Sequence, residues 1–543
     1  MQTFDYIVIG AGSAGCVLAD KLSESGRHSV LVLEAGGTDR KFWIKVPIGY
    51  GQLFHEGRVN WKYETEPCKA LNNQTSYWPR GKVLGGSSSI NALCYVRGLS
   101  TDFDDWRELG NSGWGWSDVL PQFERFERFV DVDGVSENNN PLYVSNVYQQ
   151  MHPLKEYFKS AASELGLNYH NHMNGADGEG FAPYQINTKS GMRCSAADAF
   201  LRPALKRHNT QLQSNAHVRR ILFKGNIAVG VEYAHKGQIK QVHATREVIL
   251  SAGAVNSPML LQQSGVGPLS LLQQHGIIVI HNSPAVGQNL QDHLAVNYKY
   301  IAKVPTLNNE LRSLTGKLWA GMKYMLLRRG PLSLSVNQNG GFVRSSAELD
   351  RPDLQIYFNP ISYSTAEKSS KGAALNIDPY AGFILSFQPC RPSSRGQINI
   401  TSADPIAKPS IEPNYLSTDK DIEDVIAGGR YIQRLSETEA MRALISKTLA
   451  PDLNTMNDDE LLSDFRARAG TVFHPVGTCA MGINPTTSVV GPDLKVHGVE
   501  RLRVVDASIF PTLTSGNTNA PTIMVAHKGA DLILADVILD PVK

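Results

Sequence analysis

The sequence predicts an α/β fold, α+β over the whole chain, with a nucleotide-binding unit at its start. Three observations carry this. A strand, glycine loop, helix, strand and acid follow one another over residues 5–34. Strand-like runs return to that unit near 217–250 and 502–508. The chain, at 543 residues, is long enough for two domains with sizeable cores.

Asp5-Tyr6-Ile7-Val8-Ile9 is a short β-rich run suited to a buried parallel strand. It leads into Gly10-Ala11-Gly12-Ser13-Ala14-Gly15. In this spacing Gly10 allows the tight turn, Gly12 lets a pyrophosphate approach the backbone, and Gly15 lets helix and strand pack closely. The helix from Ala14 to about Ser25 aims its positive end at the phosphates. A second strand, Ser29–Leu33, ends in Glu34, where a carboxylate can grip a ribose hydroxyl. A GxGxxG alone is a weak signal; the full succession makes this a Rossmann-like dinucleotide site. Glu34 repels a 2′-phosphate but does not separate NAD from FAD.

The stretch from Trp78 to Ala92 holds two glycine clusters and three serines around Val83-Leu84 and Ile90. Buried, so many donors need acceptors, which a pyrophosphate or an isoalloxazine edge supplies. Residues 101–210 are irregular, bear Trp and Tyr, and include the Gly/Asn/Asp-rich stretch 171–178; they read as an excursion from the nucleotide domain. His217–Phe223, Gly230–Tyr233 and Val248–Leu250 read as strands returning to it. Residues 296–465 alternate strand-like runs (Leu354–Phe358, Gly396–Ile400) with a helical one (Asp421–Glu437). Leu502–Ser508 reads as a last buried strand.

Composition excludes other classes. A net charge of +2 with 19% charged residues gives no electrostatic footprint for nucleic acid. The six cysteines are scattered, with no CxxC or zinc-finger spacing, so neither a disulfide framework nor a metal site is expected. No apolar run approaches the length of a membrane span, and a motif beginning at Asp5 leaves no room for a signal peptide. The expectation is a cytoplasmic protein, with peripheral contact to the inner membrane left open.

Near the end stand Thr471-Val472-Phe473-His474-Pro475-Val476-Gly477 and Gly516-Asn517-Thr518-Asn519. Alone, His474 reads as a turn-capping histidine. Together with the N-terminal fingerprint, the Arg80–Asn91 loop, Ser251–Pro258 and Val286–His293, these loops resemble the glucose–methanol–choline (GMC) oxidoreductases, over the whole length. The resemblance implies an FAD-binding domain from 1–100, 211–295 and 466–543. It implies a substrate-binding domain, on a largely antiparallel sheet, from 101–210 and 296–465.

The implied FAD contacts are Gly10, Gly12, Ser13, Ala14, Gly15, Glu34 and Ala35; Arg80, Gly81, Val83, Gly85, Gly86, Ser87, Asn91 and Ala92; Val218, through its backbone to the adenine; Ala252 and Gly253; Asp506 and Ala507; and Asn517 and Thr518. Ile90 stands where members with covalent flavin carry His, so the FAD is expected to be noncovalent. Alcohol oxidation needs a hydride acceptor, which flavin N5 supplies, and a base for the hydroxyl proton. His474 suits the base, since an ordinary imidazole titrates near pH 6.5, at about that value. Asn517 is expected to hold the substrate oxygen, and Asn519 to make only an Asx-turn.

Choline-specific members place a Glu where this chain has Gln338, so a neutral primary alcohol is expected, with Gly330–Val336 supplying pocket surface. Electrons would pass to a quinone or other carrier. The alternatives are an oxidase that reduces O2 to hydrogen peroxide, or a choline or sugar-alcohol dehydrogenase. A lyase on the same scaffold should lack the His/Asn pair, which this chain has. His527 stands where relatives mostly carry Glu and is given no role.

Overall fold

Both faces of a parallel sheet are covered, which is why the Thr3–Ile9 and Val30–Glu34 strands read as unbroken apolar runs. In the computed structural model, which describes residues 2–131, 133–136, 138–175, 178–365, 375–449 and 451–539, they lie at the heart of a seven-stranded sheet. Across it run Thr210–Ser214, Val30–Glu34, Thr3–Ile9 and Gln238–Leu250, all parallel. Ile227–His235 and Ala216–Lys224 extend it antiparallel, and Leu502–Val504 pairs in parallel with Val248–Leu250. The last strand therefore stops at Val504, short of the expected Ser508, and Asp506 caps a short 3-10 turn.

The helices Ser13–Ser23 and Gly253–Gln263 start just beyond the carboxyl ends of Thr3–Ile9 and Gln238–Leu250. Ser13–Ser23 packs beside the long Asn519–Leu539 helix. The ends of the parallel strands, where ligands of such sheets bind, are thus ringed by helix N-termini.

The second sheet is antiparallel throughout. Its order is Ile445–Thr448, Leu294–Ala302, Gly382–Pro389, Leu354–Asn359, Asn339–Val343 and Gly180–Pro183, with Gly470–Thr471 also pairing with the start of Leu294–Ala302. Alternation along its strands divides its faces. Val296, Tyr298, Ile356, Phe358, Leu385 and Phe387 join an apolar core. Asn297, Tyr357, Asn359 and Ser386, in between, face a cavity. The Asp419–Ser436 helix covers the apolar face, and it comes close: a Cβ at Gly428 would lie 2.1 Å from the Phe387 ring.

The 101–210 segment, expected to leave the first domain, is shared between the two cores. Phe103, Trp106, Trp114, Phe123, Phe126 and Phe200 bury themselves in the core of the first sheet, while Phe158 and Phe181 join the second. The Trp106 indole N–H donates to Thr512 O at 3.0 Å, and its ring lies 4.8 Å from that of Phe510. These large rings pack on one another and on the terminal region, and that holds the segment back. Residues 176 and 177 of the Gly/Asn/Asp-rich stretch lie outside the described residues.

Candidate active site

Between the two sheets lies a cavity of about 1290 Å³. Small-molecule sites commonly span about 300–1,000 Å³, so this one can take a cofactor and a small substrate together. Its floor is glycine backbone. A Cβ added at Gly10 would meet Ser251 O at 2.5 Å, and one at Gly15 would meet Gly10 O at 1.9 Å; one at Gly12 would meet nothing within 4 Å. Gly10 and Gly15 are therefore packing positions, whereas Gly12 presents bare backbone to the cavity. Gly253, at φ +83°, is equally open. Neither Gly12 nor Ala252, the caps of the two helices that begin here, offers a side-chain cap. The first N–H groups of the Ser13–Ser23 helix are thus left for an anion, whereas at the second helix Gly253 N–H already donates to Asp506 at 2.8 Å. A Cβ at Gly86 would lie 2.7 Å from Gly12 Cα, so the second glycine loop closes directly on the first.

Glu34 stands where a ribose would be gripped. Its oxygens accept from Ala11 N–H (2.8 Å) and Gly36 N–H (2.7 Å), and each keeps a lone pair. Burial pushes its carboxyl up to about 7. Donated ribose hydroxyls would favour the charged form. The uncapped end of the Ser13–Ser23 helix, open glycine backbone and a buried carboxylate fit the pyrophosphate and ribose of a dinucleotide.

At the other end, two imidazoles meet. His293 Nε2 lies 2.8 Å from Cys390 O, which can only accept, so this nitrogen carries the proton. Burial holds His293 neutral, down to about 4, leaving Nδ1 with a lone pair. His474 Nδ1 lies 3.0 Å from it and must be the donor. His474 Nε2 is then an acceptor, and Asn517 Nδ2 donates to it at 3.0 Å. The tautomer is thus set by geometry, with the basic nitrogen in the cavity. Burial first, then His293 and Arg80, hold His474 well below the usual imidazole range. Asn517 Oδ1 is buried with no partner among the described residues, an acceptor awaiting a donor.

The loop carrying His474 is held by a buried carboxylate. Asp292 accepts from His474 N–H (2.7 Å), Thr471 Oγ1 (2.6 Å) and the Tyr415 hydroxyl (2.6 Å). Arg80 Nη2 donates to Phe473 O at 2.7 Å. Tyr50, Phe54, Ala92 and Tyr363, all on the cavity wall, belong to one apolar cluster, and the Phe473 ring lies 5.5 Å from Phe54.

Of the residues expected at the cofactor, Gly10, Gly12, Ser13, Ala14, Glu34, Ala35, Arg80, Gly81, Gly86, Ser87, Asn91, Ala92, Val218, Ala252, Gly253, Asp506, Ala507, Asn517 and Thr518 line the cavity, as do His474 and Ile90. Gly15, Val83 and Gly85 do not. Val83 is buried in a small core with Ile44 and Leu53, and Gly85 N–H donates to Ala11 O, so these residues back the wall. The Asp506 carboxylate is also committed to protein: it accepts from Gly253 N–H, Ser257 Oγ and Ser508 N–H.

Other expectations fail at single residues. Gln338 turns away from the cavity, its Oε1 accepting from His152 N–H at 2.9 Å, and Asn337 faces the cavity instead. The Gly330–Val336 loop does not line the cavity either; Val336 packs behind Tyr50. Asn519 does more than shape a turn, since its Oδ1 receives the Ser13 hydroxyl at 2.7 Å and ties the last helix to the first. His527 lies outside the cavity, stacked at 5.0 Å on Phe126.

Sequence reasoning missed the supports. His293 and Asp292 fell within a recognised stretch but received no role. Arg193, without any motif, is buried and donates to Asn91 Oδ1 (2.6 Å) and Asn91 O (2.7 Å).

Comparison with known proteins agrees with this geometry. Two family profiles, both described as GMC oxidoreductase, match residues 4–295 and 392–526. An alcohol dehydrogenase [acceptor] of Pseudomonas putida is 41% identical over 98% of this chain and 96% of its own. An oxygen-dependent choline dehydrogenase of Photobacterium profundum is 40% identical, covering 99% of this chain and 94% of its own. Among solved structures, pyridoxine 4-oxidase from Mesorbium loti superposes with a TM-score of 0.85 at 28% identity, over 97% of this chain and 98% of the other. A formate oxidase variant from Aspergillus oryzae RIB40 superposes with a TM-score of 0.89 at 27% identity, over 98% of each chain.

Proposed function

This chain belongs to the GMC oxidoreductase family, and we propose from this that it binds FAD noncovalently and oxidises a neutral primary alcohol to the aldehyde. The observation that carries the reading is the His293–His474–Asn517 chain, which leaves one basic nitrogen and one amide facing the cavity. Binding alone needs no such pair.

Gly12, Gly253 and the free end of the Ser13–Ser23 helix would hold the pyrophosphate, Glu34 the ribose, and Val218 the adenine. Bound FAD supplies the two-electron hydride acceptor. The rest falls to the protein. His474 Nε2 takes the hydroxyl proton once the Asn517 amide, whose N–H otherwise occupies that lone pair, shifts its hydrogen bond to the substrate oxygen. His293 keeps the His474 proton on Nδ1. Asp292 and Arg80 hold the loop, and the Tyr50–Tyr363 cluster keeps water from the reacting carbon. Ile90, an aliphatic residue at the cavity wall, supports the absence of a covalent tether at that position.

A neutral substrate follows from the charges. Carboxylates on the cavity wall are Glu34, Glu64 and Asp506; Asp292, the carboxylate beside His474, is not on the wall and accepts from His474 N–H, Thr471 and Tyr415. A buried ammonium beside His474 would reach no carboxylate that is free of protein partners. The electrons pass to a quinone or other carrier, as the likeness to an alcohol dehydrogenase [acceptor] suggests, and peripheral contact with a membrane belongs to this reading. Likeness to choline dehydrogenases named oxygen-dependent favours the second reading, choline as substrate and O2 as acceptor.

One experiment separates them. The FAD-loaded protein is mixed anaerobically with primary alcohols or choline while flavin bleaching is followed; a quinone or O2 is then admitted. Bleaching by neutral alcohols and rapid recolouring by quinone are expected. Rapid bleaching only by choline, or recolouring as fast with O2, would overturn the corresponding part.

A further inference from the structure

The Leu314–Leu327 helix is apolar on the wrong side for a core element. Ala320 and Tyr324 face inward; Leu318, Trp319 and Leu326 are 68%, 66% and 80% exposed, and Leu314, Met322, Met325 and Leu327 are exposed as well. At about 100° per residue, Leu314, Met325, Leu318, Met322, Leu326 and Trp319 cover an outward arc of roughly 140°, with Thr315 the one polar residue inside it. Lys317 and Lys323, both exposed, flank the arc on its two sides, and Arg328-Arg329 follow at the end. The Tyr324 hydroxyl reaches Lys45 O at 3.5 Å, bringing the exposed Phe42 and Trp43 alongside. Monomer surfaces rarely expose so much contiguous apolar area without a partner.

We propose that this helix is a docking surface for an anionic phospholipid bilayer, lying in the plane of the headgroups. Its purpose rests on the proposed quinone acceptor, its location on the exposed arc. An apolar arc edged by lysines is the pattern of interfacial helices. Among the described residues, no helix is long and apolar enough to cross a membrane, so the contact is peripheral. Charge selects lipid over a second copy. A two-fold interface would place Lys317, Lys323 and Arg329 against their own kind, and Glu310 is the one acid between residues 307 and 329. The inner side of the helix meets the cavity wall: Ala320 shares its cluster with Tyr50, Ala92 and Tyr363. Docking there would set the substrate end of the cavity at the membrane surface.

The test is sedimentation of the FAD-loaded full chain with vesicles containing phosphatidylglycerol, or phosphatidylcholine alone. Binding to the first, weakened by salt, is expected, with a blue shift of Trp fluorescence. Trp319→Asp/Leu326→Asp and Lys317→Glu/Lys323→Glu should each lower it about tenfold or more, the first by loss of buried apolar area and the second by loss of charge. Flavin content and anaerobic reduction by a water-soluble alcohol should not change. No vesicle binding by the wild type, or equal binding by the variants, would overturn the proposal. So would a dimer broken by Trp319→Asp/Leu326→Asp in a chain that ignores vesicles. Failure of alcohol to reduce the flavin would instead strike the proposed function.

Discussion

Replacing His293 by Phe tests the base without changing an atom of His474. Phe keeps a buried ring in place, but leaves the His474 Nδ1–H, now 3.0 Å from His293 Nδ1, with no acceptor. An unmet buried donor costs about 1–3 kcal/mol. The strain is relieved if the proton moves to Nε2 or the ring rotates, and either removes the lone pair from the cavity. With about 1.4 kcal/mol per tenfold, flavin reduction by alcohol should slow about 10–100-fold. His293→Asn, which can return a side-chain acceptor, should recover part of this. His474→Ala should slow reduction by about 10²–10⁴-fold, the usual worth of a positioned base. Since both residues act through one nitrogen, His293→Phe should add little to His474→Ala. The assay is anaerobic rapid mixing with one primary alcohol, at matched FAD content. A His293→Phe enzyme within about twofold of the wild-type rate, or a double mutant in which the two losses multiply, would refute the tautomer argument.

Further predictions concern the cofactor, the substrate and stability. Acid precipitation should leave the yellow colour in the supernatant, as expected with Ile90 at the tethering position; colour retained by a washed pellet contradicts this. Neutral primary alcohols should exceed choline in kcat/KM, and an advantage of about tenfold or more for choline would show that a cation is accommodated beside His474. Asn517→Ala should keep its FAD and lose about 1–3 kcal/mol of transition-state stabilisation, read as the same rapid-mixing rate. His527 has no partner for either ring nitrogen among the described residues, and burial holds it down to about 3. Below about pH 6.5 the unfolded chain takes up this proton and the folded one does not, so stability falls as pH falls towards 3. At about 1.4 kcal/mol per pH unit, the loss at pH 5 is about 2 kcal/mol. His527→Phe should abolish that loss, so its denaturation midpoint should gain on the wild type between pH 8 and pH 5; an equal difference at both values would show that His527 does not carry it.

The nucleotide unit was legible because everything that makes it is local. Strand period, glycine spacing and a terminal acid lie within residues 5–34, and each glycine's separate task follows from backbone sterics alone. Likeness of motif brought His474 and Asn517 together by name. What the sequence by itself could not determine lies between segments distant along the chain. His293 and His474 are 181 residues apart, and Arg193 and Asn91 are 102 apart; no periodicity links them. At Gln338 a one-residue alternation decided the matter, sending Asn337 to the cavity and Gln338 to His152. Trp106 and Trp114 looked like part of an excursion until the terminal region provided apolar surface to bury them. The Leu314–Leu327 helix has a composition that a core helix could share. Which of its faces meets solvent is set by what packs beneath it, and only the tertiary structure puts Ala320 and Tyr324 inside and Trp319 outside.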